Sequence, residues 1–152
     1  MKIKKIIILI IIVLVTACSK NEFSKEVFLD RAKFNGYILK EDLSEYKGYN
    51  YIKDSYYAIN REGMYFIQFL EIENDDYAKR FFEFNKEDIV KLKTSNSYTK
   101  SINLTNYNVY HLENDSDYKL VIRSKNNIIY VDAPIDYINE IEEFLSELEI
   151  DF

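Results

Sequence analysis

Cysteine, histidine, proline and glycine are all scarce in this chain, with one, one, one and three copies. With no partner for Cys18 there is no disulfide, and the hydrophobic core alone must hold the fold. Three glycines are too few for the backbone cradles that bind phosphate, and there is no Gly-x-Ser-x-Gly nucleophile elbow. One proline, no Pro/Gly-rich stretch and no internal repeat leave no linker at which to divide the chain. Basic charge is also in deficit: 20 Lys and Arg against 26 Asp and Glu give a net charge of −6. Phosphate binding needs a basic face, so nucleic acid is disfavoured as a partner. The longest apolar run, Ile6 to Ala17, has twelve residues, short of the about 20 that a spanning helix needs.

That run is nonetheless the most informative stretch. Lys2, Lys4 and Lys5 precede it, and unbroken apolar residues from Ile6 to Val15 form its body. Thr16, Ala17 and Cys18 close it before the polar Ser19-Lys20-Asn21-Glu22. A positive start, a short apolar segment and small residues before a cut describe an export signal. Val15-Thr16-Ala17-Cys18 resembles the lipobox of bacterial lipoproteins. The resemblance implies that Cys18 is lipidated, that the chain is cut in front of it, and that residues 1–17 are removed as the signal. A conventional secretory cut after Ala17 would instead leave an exposed thiol with nothing to pair with. The implied diacylglyceryl group carries two acyl chains, enough for stable anchoring where one chain binds only marginally. The expected location is the extracytoplasmic face of the cell membrane, with membrane lipid as a partner through the acyl anchor.

Without residues 1–17 the net charge of −6 becomes −9, because the signal holds three lysines and no acid. Anionic headgroups repel such a domain, so beyond the anchor its expected partner is another envelope protein or a peptide. Residues 18–23 read as a short tether and residues 24–152 as one domain. The tether holds that domain within roughly 20 Å of the bilayer. The chain is rich in Ile, Lys, Asn and Tyr, all encoded by AT-rich codons. Its fourteen tyrosines are therefore given little weight as a binding signal.

Within the domain, Ser24 caps a helix through Val27, Phe28, Arg31 and Ala32 that stops at Asn35-Gly36. Tyr37 to Leu39 reads as a short strand and Lys40 to Asp54 as a polar, tyrosine-rich loop. Ser55 to Asn60 and Met64 to Ile72 form a hairpin across Arg61-Glu62-Gly63. The second of these strands is apolar on both faces except at Gln68, the pattern of a central strand. Asn74-Asp75-Asp76 starts a second helix with a buried stripe of Ala78, Phe81, Phe82, Ile89 and Leu92. Thr94 to Lys100 reads as a loop. Three strands follow as a meander: Asn106 to Leu112, Tyr118 to Arg123 and Ile128 to Asp132. Pro134 sits near the start of a last helix, whose stripe of Ile138, Ile141, Leu145, Leu148 and Phe152 docks on the sheet. Its glutamates, Glu140, Glu142, Glu143, Glu147 and Glu149, face water.

The expected fold is α+β in the order α-β-β-β-α-β-β-β-α, with an antiparallel sheet of about five to six strands and three helices packed mainly on one face. This order resembles that of small lipoproteins of low-GC Gram-positive bacteria. Their shared features are an Asn-Gly-Tyr turn after the first helix (Asn35-Gly36-Tyr37), an aromatic strand leading into an alanine-containing helix (Tyr65 to Phe82), and an arginine-to-aliphatic hairpin before the last helix (Arg123 to Val131). The resemblance brings no activity with it.

No catalytic set is legible. Cys18 is used by the lipid. His111 shares a strand face with Val109 and Glu113, and reads as a surface or half-buried strand residue in preference to a general base. Glu113-Asn114-Asp115-Ser116-Asp117 offers oxygens to a cation but lacks the glycine and distal glutamate of a calcium loop, so it reads as a turn. Glu71 to Asp76 reads as a helix start, and no metal or cofactor is expected. With helices mainly on one face, the other displays Lys119, Val121 and Arg123, with Val109, His111 and Glu113 nearby. His111, Lys119 and Arg123 mark the candidate binding face. The expected function is a non-enzymatic, lipid-anchored module that binds another protein or a peptide. The alternatives are a small-ligand carrier serving a membrane transporter, and a cell-wall hydrolase built on carboxylates that meet only in three dimensions.

Overall fold

The first helix, α1 (Lys25–Phe34), starts where its cap is: the Ser24 hydroxyl accepts from the Val27 amide at 3.3 Å. It ends on Asn35, followed by Gly36 at φ +76°, a conformation that favours glycine. The Gly36 carbonyl accepts from Arg61 Nε at 3.1 Å, and a β-carbon at Gly36 would strike that guanidinium. The chain continues through β1 (Ile38–Glu41), a 3₁₀ turn (Ser44–Tyr46), β2 (Ile52–Ile59) and β3 (Phe66–Ile72). The second helix, α2 (Asp75–Lys91), begins on Asn74, whose side chain accepts from the Tyr77 amide at 3.0 Å. Asp75 and Asp76 lie in its first turn, where the helix dipole favours acids. Then come β4 (Tyr98–Asn103), β5 (Tyr107–Glu113), β6 (Asp117–Ser124), β7 (Asn127–Pro134), a 3₁₀ turn (Ile135–Tyr137) and α3 (Ile138–Glu147).

These elements are those of a computed structural model that describes residues 23–150; residues 1–17, expected to be a signal, Cys18 and Phe152 lie outside the described residues. The fold is α+β. Its seven strands form one antiparallel sheet in the order β1-β2-β3-β7-β6-β5-β4. That is one strand beyond the six read from the sequence. The addition is β4, whose Tyr-Thr-Lys-Ser-Ile-Asn alternates poorly because, at the sheet edge, no residue in it is fully buried.

Two hydrophobic clusters lie on opposite faces of the sheet. Phe28 and Ala32 of α1 and Ile141, Phe144 and Leu145 of α3 pack with Ile67, Phe69, Leu120, Ile122, Ile129 and Val131. Ala78, Phe82 and Ile89 of α2 pack with Leu70, Ile72, Leu112, Val121 and Ile128. Along β3, β6 and β7 the two sets alternate, which assigns them to the two faces of the pleat. Two helices thus share one face, and α2 covers part of the other. Leu92, expected in the α2 stripe, is 48% exposed because the helix ends before it.

Register also defines two ends. Ile52, Ile72, Asn127, Ser124 and Tyr107 lie at one end, and Ile59, Phe66, Asp132 and Asp117 at the other. The chain joins the fold at the first end. Phe23, read as tether, is buried against Phe69, and its carbonyl accepts from Asn127 Nδ2 at 2.8 Å.

Candidate binding cleft

Gln68 is the polar break in apolar β3, and the structure gives it a task. It is 4% exposed, and its Nε2 donates to Ser55 Oγ at 3.0 Å and to the Tyr46 hydroxyl at 2.9 Å. Tyr57 donates to Glu45 Oε2 at 2.9 Å. Buried polar groups are costly unless satisfied, so this network pins the Ser44–Tyr46 turn over the sheet. Burial in turn pushes the Tyr46 and Tyr51 hydroxyls above their ordinary range, keeping both neutral.

Between the pinned turn and α2 runs a cleft of about 580 Å³. Its walls are aromatic. Tyr46 meets Phe81 edge-on with centroids 6.2 Å apart, Tyr51 stacks on Tyr77 at 4.8 Å with planes 9° apart, and Tyr49 sits edge-on to Tyr51 at 5.8 Å. The Arg80 guanidinium lies 6.0 Å from the Tyr77 ring. Tyr49 (52%), Tyr77 (37%) and Phe84 (64%) are exposed along the opening. Tyr77, Phe81 and Phe84 follow the i, i+4, i+7 spacing of one helix face. α2 therefore carries two apolar stripes, one spent on the sheet and one on the cleft, and Phe81 lies between them, packed against the core cluster and lining the cleft. The signal for this cleft was the tyrosine-rich Lys40–Asp54 loop, discounted on codon grounds.

The candidate face of His111, Lys119 and Arg123 is not brought together. Leu112 pairs with Lys119 and Asn108 with Arg123, so Lys119 and Arg123 point to the α2 face, whereas His111 pairs with Leu120 on the α1/α3 face. Nor is any of the three open. Lys119 pairs with Asp132 across β6 and β7. Arg123 is fully buried: Nε donates to Asn108 Oδ1 (2.7 Å), Nη2 to the Thr105 carbonyl (2.7 Å), and Nη1 to the Lys125 carbonyl (3.2 Å) and Asp75. It ties the N-terminus of α2 to the β4–β5 and β6–β7 turns.

His111 is 3% exposed, with its Nε2 2.8 Å from Glu113 Oε1 and its ring 4.9 Å from that of Tyr118. Burial pushes the imidazole down to about 4, with the Lys100 charge adding to the shift. Burial, then the Glu142 charge, raises the Glu113 carboxyl. The fully buried Tyr118 hydroxyl makes no hydrogen bond among the described residues. Tyr118→Phe is accordingly expected to stabilise the domain by about 1 kcal/mol, by removing a donor that lost water and gained no partner. A lower urea midpoint for Tyr118→Phe than for wild type would show that the hydroxyl is satisfied.

The two acidic motifs have structural uses. Asn114 Oδ1 accepts from the Ser116 and Asp117 amides at 2.9 and 2.8 Å, closing the β5–β6 turn. Asn74 caps α2, and Asp75 holds Arg123. Among the described residues no three His, Cys, Asp or Glu side chains converge as metal ligands, and no helix is long and apolar enough to cross a membrane. No family model matches the chain, and neither a curated protein nor a solved structure matches it.

Proposed function

We propose that the chain is a lipoprotein of the kind its lipobox resembles, cut after Val15-Thr16-Ala17 and lipidated on Cys18. We further propose that its domain is a non-enzymatic module at the extracytoplasmic membrane surface, holding an extended segment of another envelope protein in the aromatic cleft. The observation that carries this reading is the row of exposed rings, Tyr49, Tyr77 and Phe84, beside a turn fixed by buried bonds. Tyrosine with arginine is the chemistry of interface hot spots, and rings with two torsions lose little freedom on binding. Walls already in place reduce the ordering cost further. An enclosed apolar cavity would suit a small-ligand carrier; a cleft open along α2 admits a chain.

A photoreactive phenylalanine analogue placed at Phe84 of the full-length protein in intact cells is expected to crosslink to an envelope polypeptide. The same analogue at Phe34, which is exposed on α1, serves as the reference. The yield at Phe84 should exceed that at Phe34 several-fold and fall several-fold in Tyr49→Ala. Equal yields at the two positions overturn the cleft as the binding site. A fatty-acid probe should label the same protein and leave Cys18→Ala unlabelled.

A further inference from the structure

We infer that the Phe23 end of the domain rests on the bilayer headgroups, with Leu104 and the outer edge of the cleft mouth formed by Tyr49, Tyr51 and Tyr77 at the contact, the cleft continuing along α2 to Phe84 away from the membrane and the acidic α3 turned away from it. This inference rests on the proposed lipidation of Cys18. Five residue steps separate Cys18 from Phe23, about 17 Å even when fully extended. Phe23 is itself held in the core at the β6–β7 turn, so the tether gains no length by fraying there. The eight-residue β2 runs away from this end, which sets the other end roughly 26 Å further out. The Phe23 end is the part of the domain that the tether holds nearest the surface.

The side chains at that end suit the place. Tyr51 and Ile52 open β2 opposite Ile72, and Tyr77 follows in the first turn of α2, so the stacked Tyr51–Tyr77 pair and Tyr49 fringe this end. Leu104, in the β4–β5 turn, is exposed at the same end. Tyrosine, apolar in body and polar at its tip, concentrates at the membrane–water interface.

The net charge of −9 suggests repulsion from headgroups, but that charge is unevenly placed. At the Phe23 end Lys25 holds Asp54 at 2.6 Å and lies 4.0 Å from Glu71, and Arg123 holds Asp75. Lys53 and Lys125 share this end with Glu26, Glu73 and Asp76. An acidic run without a base sits on α3, which has glutamates at 140, 142, 143 and 147 and no Lys or Arg. Its contacts place it at the opposite end: Tyr65 donates to Glu140 (2.7 Å), and Asn35 Nδ2 donates to Glu147 (2.9 Å). Membrane surface potential decays over about 8–10 Å, well short of that distance.

The chain has no tryptophan, so single reporters are clean. Native lipidated protein carrying Tyr49→Trp, Leu104→Trp or Met64→Trp, all exposed positions, would be bound to phosphatidylglycerol–phosphatidylethanolamine vesicles containing a headgroup spin-labelled lipid. Tyr49→Trp and Leu104→Trp should show blue-shifted emission and several-fold stronger quenching than Met64→Trp, which lies in the β2–β3 turn at the far end. Protein that floats with the vesicles while all three reporters quench alike overturns the orientation and leaves the anchor standing. Protein that does not float overturns both.

Discussion

Arg123→Met is expected to lower the stability of the domain by about 2 kcal/mol. The substitution keeps most of the volume and removes the charge, so the effect isolates polar contacts from packing. In wild type the guanidinium is fully buried and hydrogen-bonded to Asn108, Asp75 and the carbonyls of Thr105 and Lys125. Removing it orphans the Asn108 carboxamide oxygen, on a residue only 2% exposed, whereas the Thr105 and Lys125 carbonyls belong to exposed turn residues and can turn to water. Each unsatisfied buried group costs about 1–3 kcal/mol. Asp75 moderates the loss, because its side chain is 50% exposed and can return to water. Urea unfolding should show a lower midpoint with an unchanged slope. A loss below about 1 kcal/mol would mean that the arginine is not the tie between α2 and the two turns.

Acidification from neutral pH should cost the domain about 2–3 kcal/mol between pH 6.5 and 4, through His111. The folded imidazole titrates near 4 and the unfolded one near its model value of 6.5, so within that window the unfolded chain binds the proton and the folded chain does not. Stability is therefore undiminished above about 6.5, falls as pH drops, and stops falling from this source below about 4. The groups that bear on His111 are Glu113 on its own strand, Lys100 on β4, Tyr118 on β6 and Glu142 through Glu113 from α3. Glu113 acts in the opposite sense. Its carboxyl is raised on folding, so its own contribution declines as pH rises through that value, which trims the net slope near the acid end. Melting temperature followed across this range should flatten in His111→Gln. An unchanged slope in that variant would assign the acid sensitivity to other groups.

Some of this was legible in the residues, for an identifiable reason. The Ser24 and Asn74 caps, the Asn35-Gly36 stop, and Phe28, Ala32, Ile141 and Leu145 of the apolar stripes appear where read, whereas Val27 is exposed and Leu148 follows the end of α3. Each depends on neighbours within one or two turns of chain. β4 was missed because an edge strand need not alternate. Phe81, read as core, packs against the α2-face cluster and also lines the cleft, a second role that helical spacing alone does not reveal.

The binding face was a register error. The three-residue turn from Asn114 to Ser116 pairs Glu113 with Tyr118, so odd positions of β5 face the same way as even positions of β6. His111 therefore goes to one side of the sheet and Lys119 and Arg123 to the other. Gln68, seen only as an exception in an apolar strand, turned out to anchor the turn that makes the cleft.

Sequence alone determined the α+β class, the starts of the first two helices and the acidic balance, because periodicity, capping and charge are properties of short stretches or of composition. Tertiary structure decided which residues meet: the aromatic cleft, the burial of Arg123 and His111, and the distance between the ion-paired Phe23 end and the all-acidic α3. Those outcomes depend on strand order and pairing parity between residues tens of positions apart, and a single added or lost turn residue reverses them.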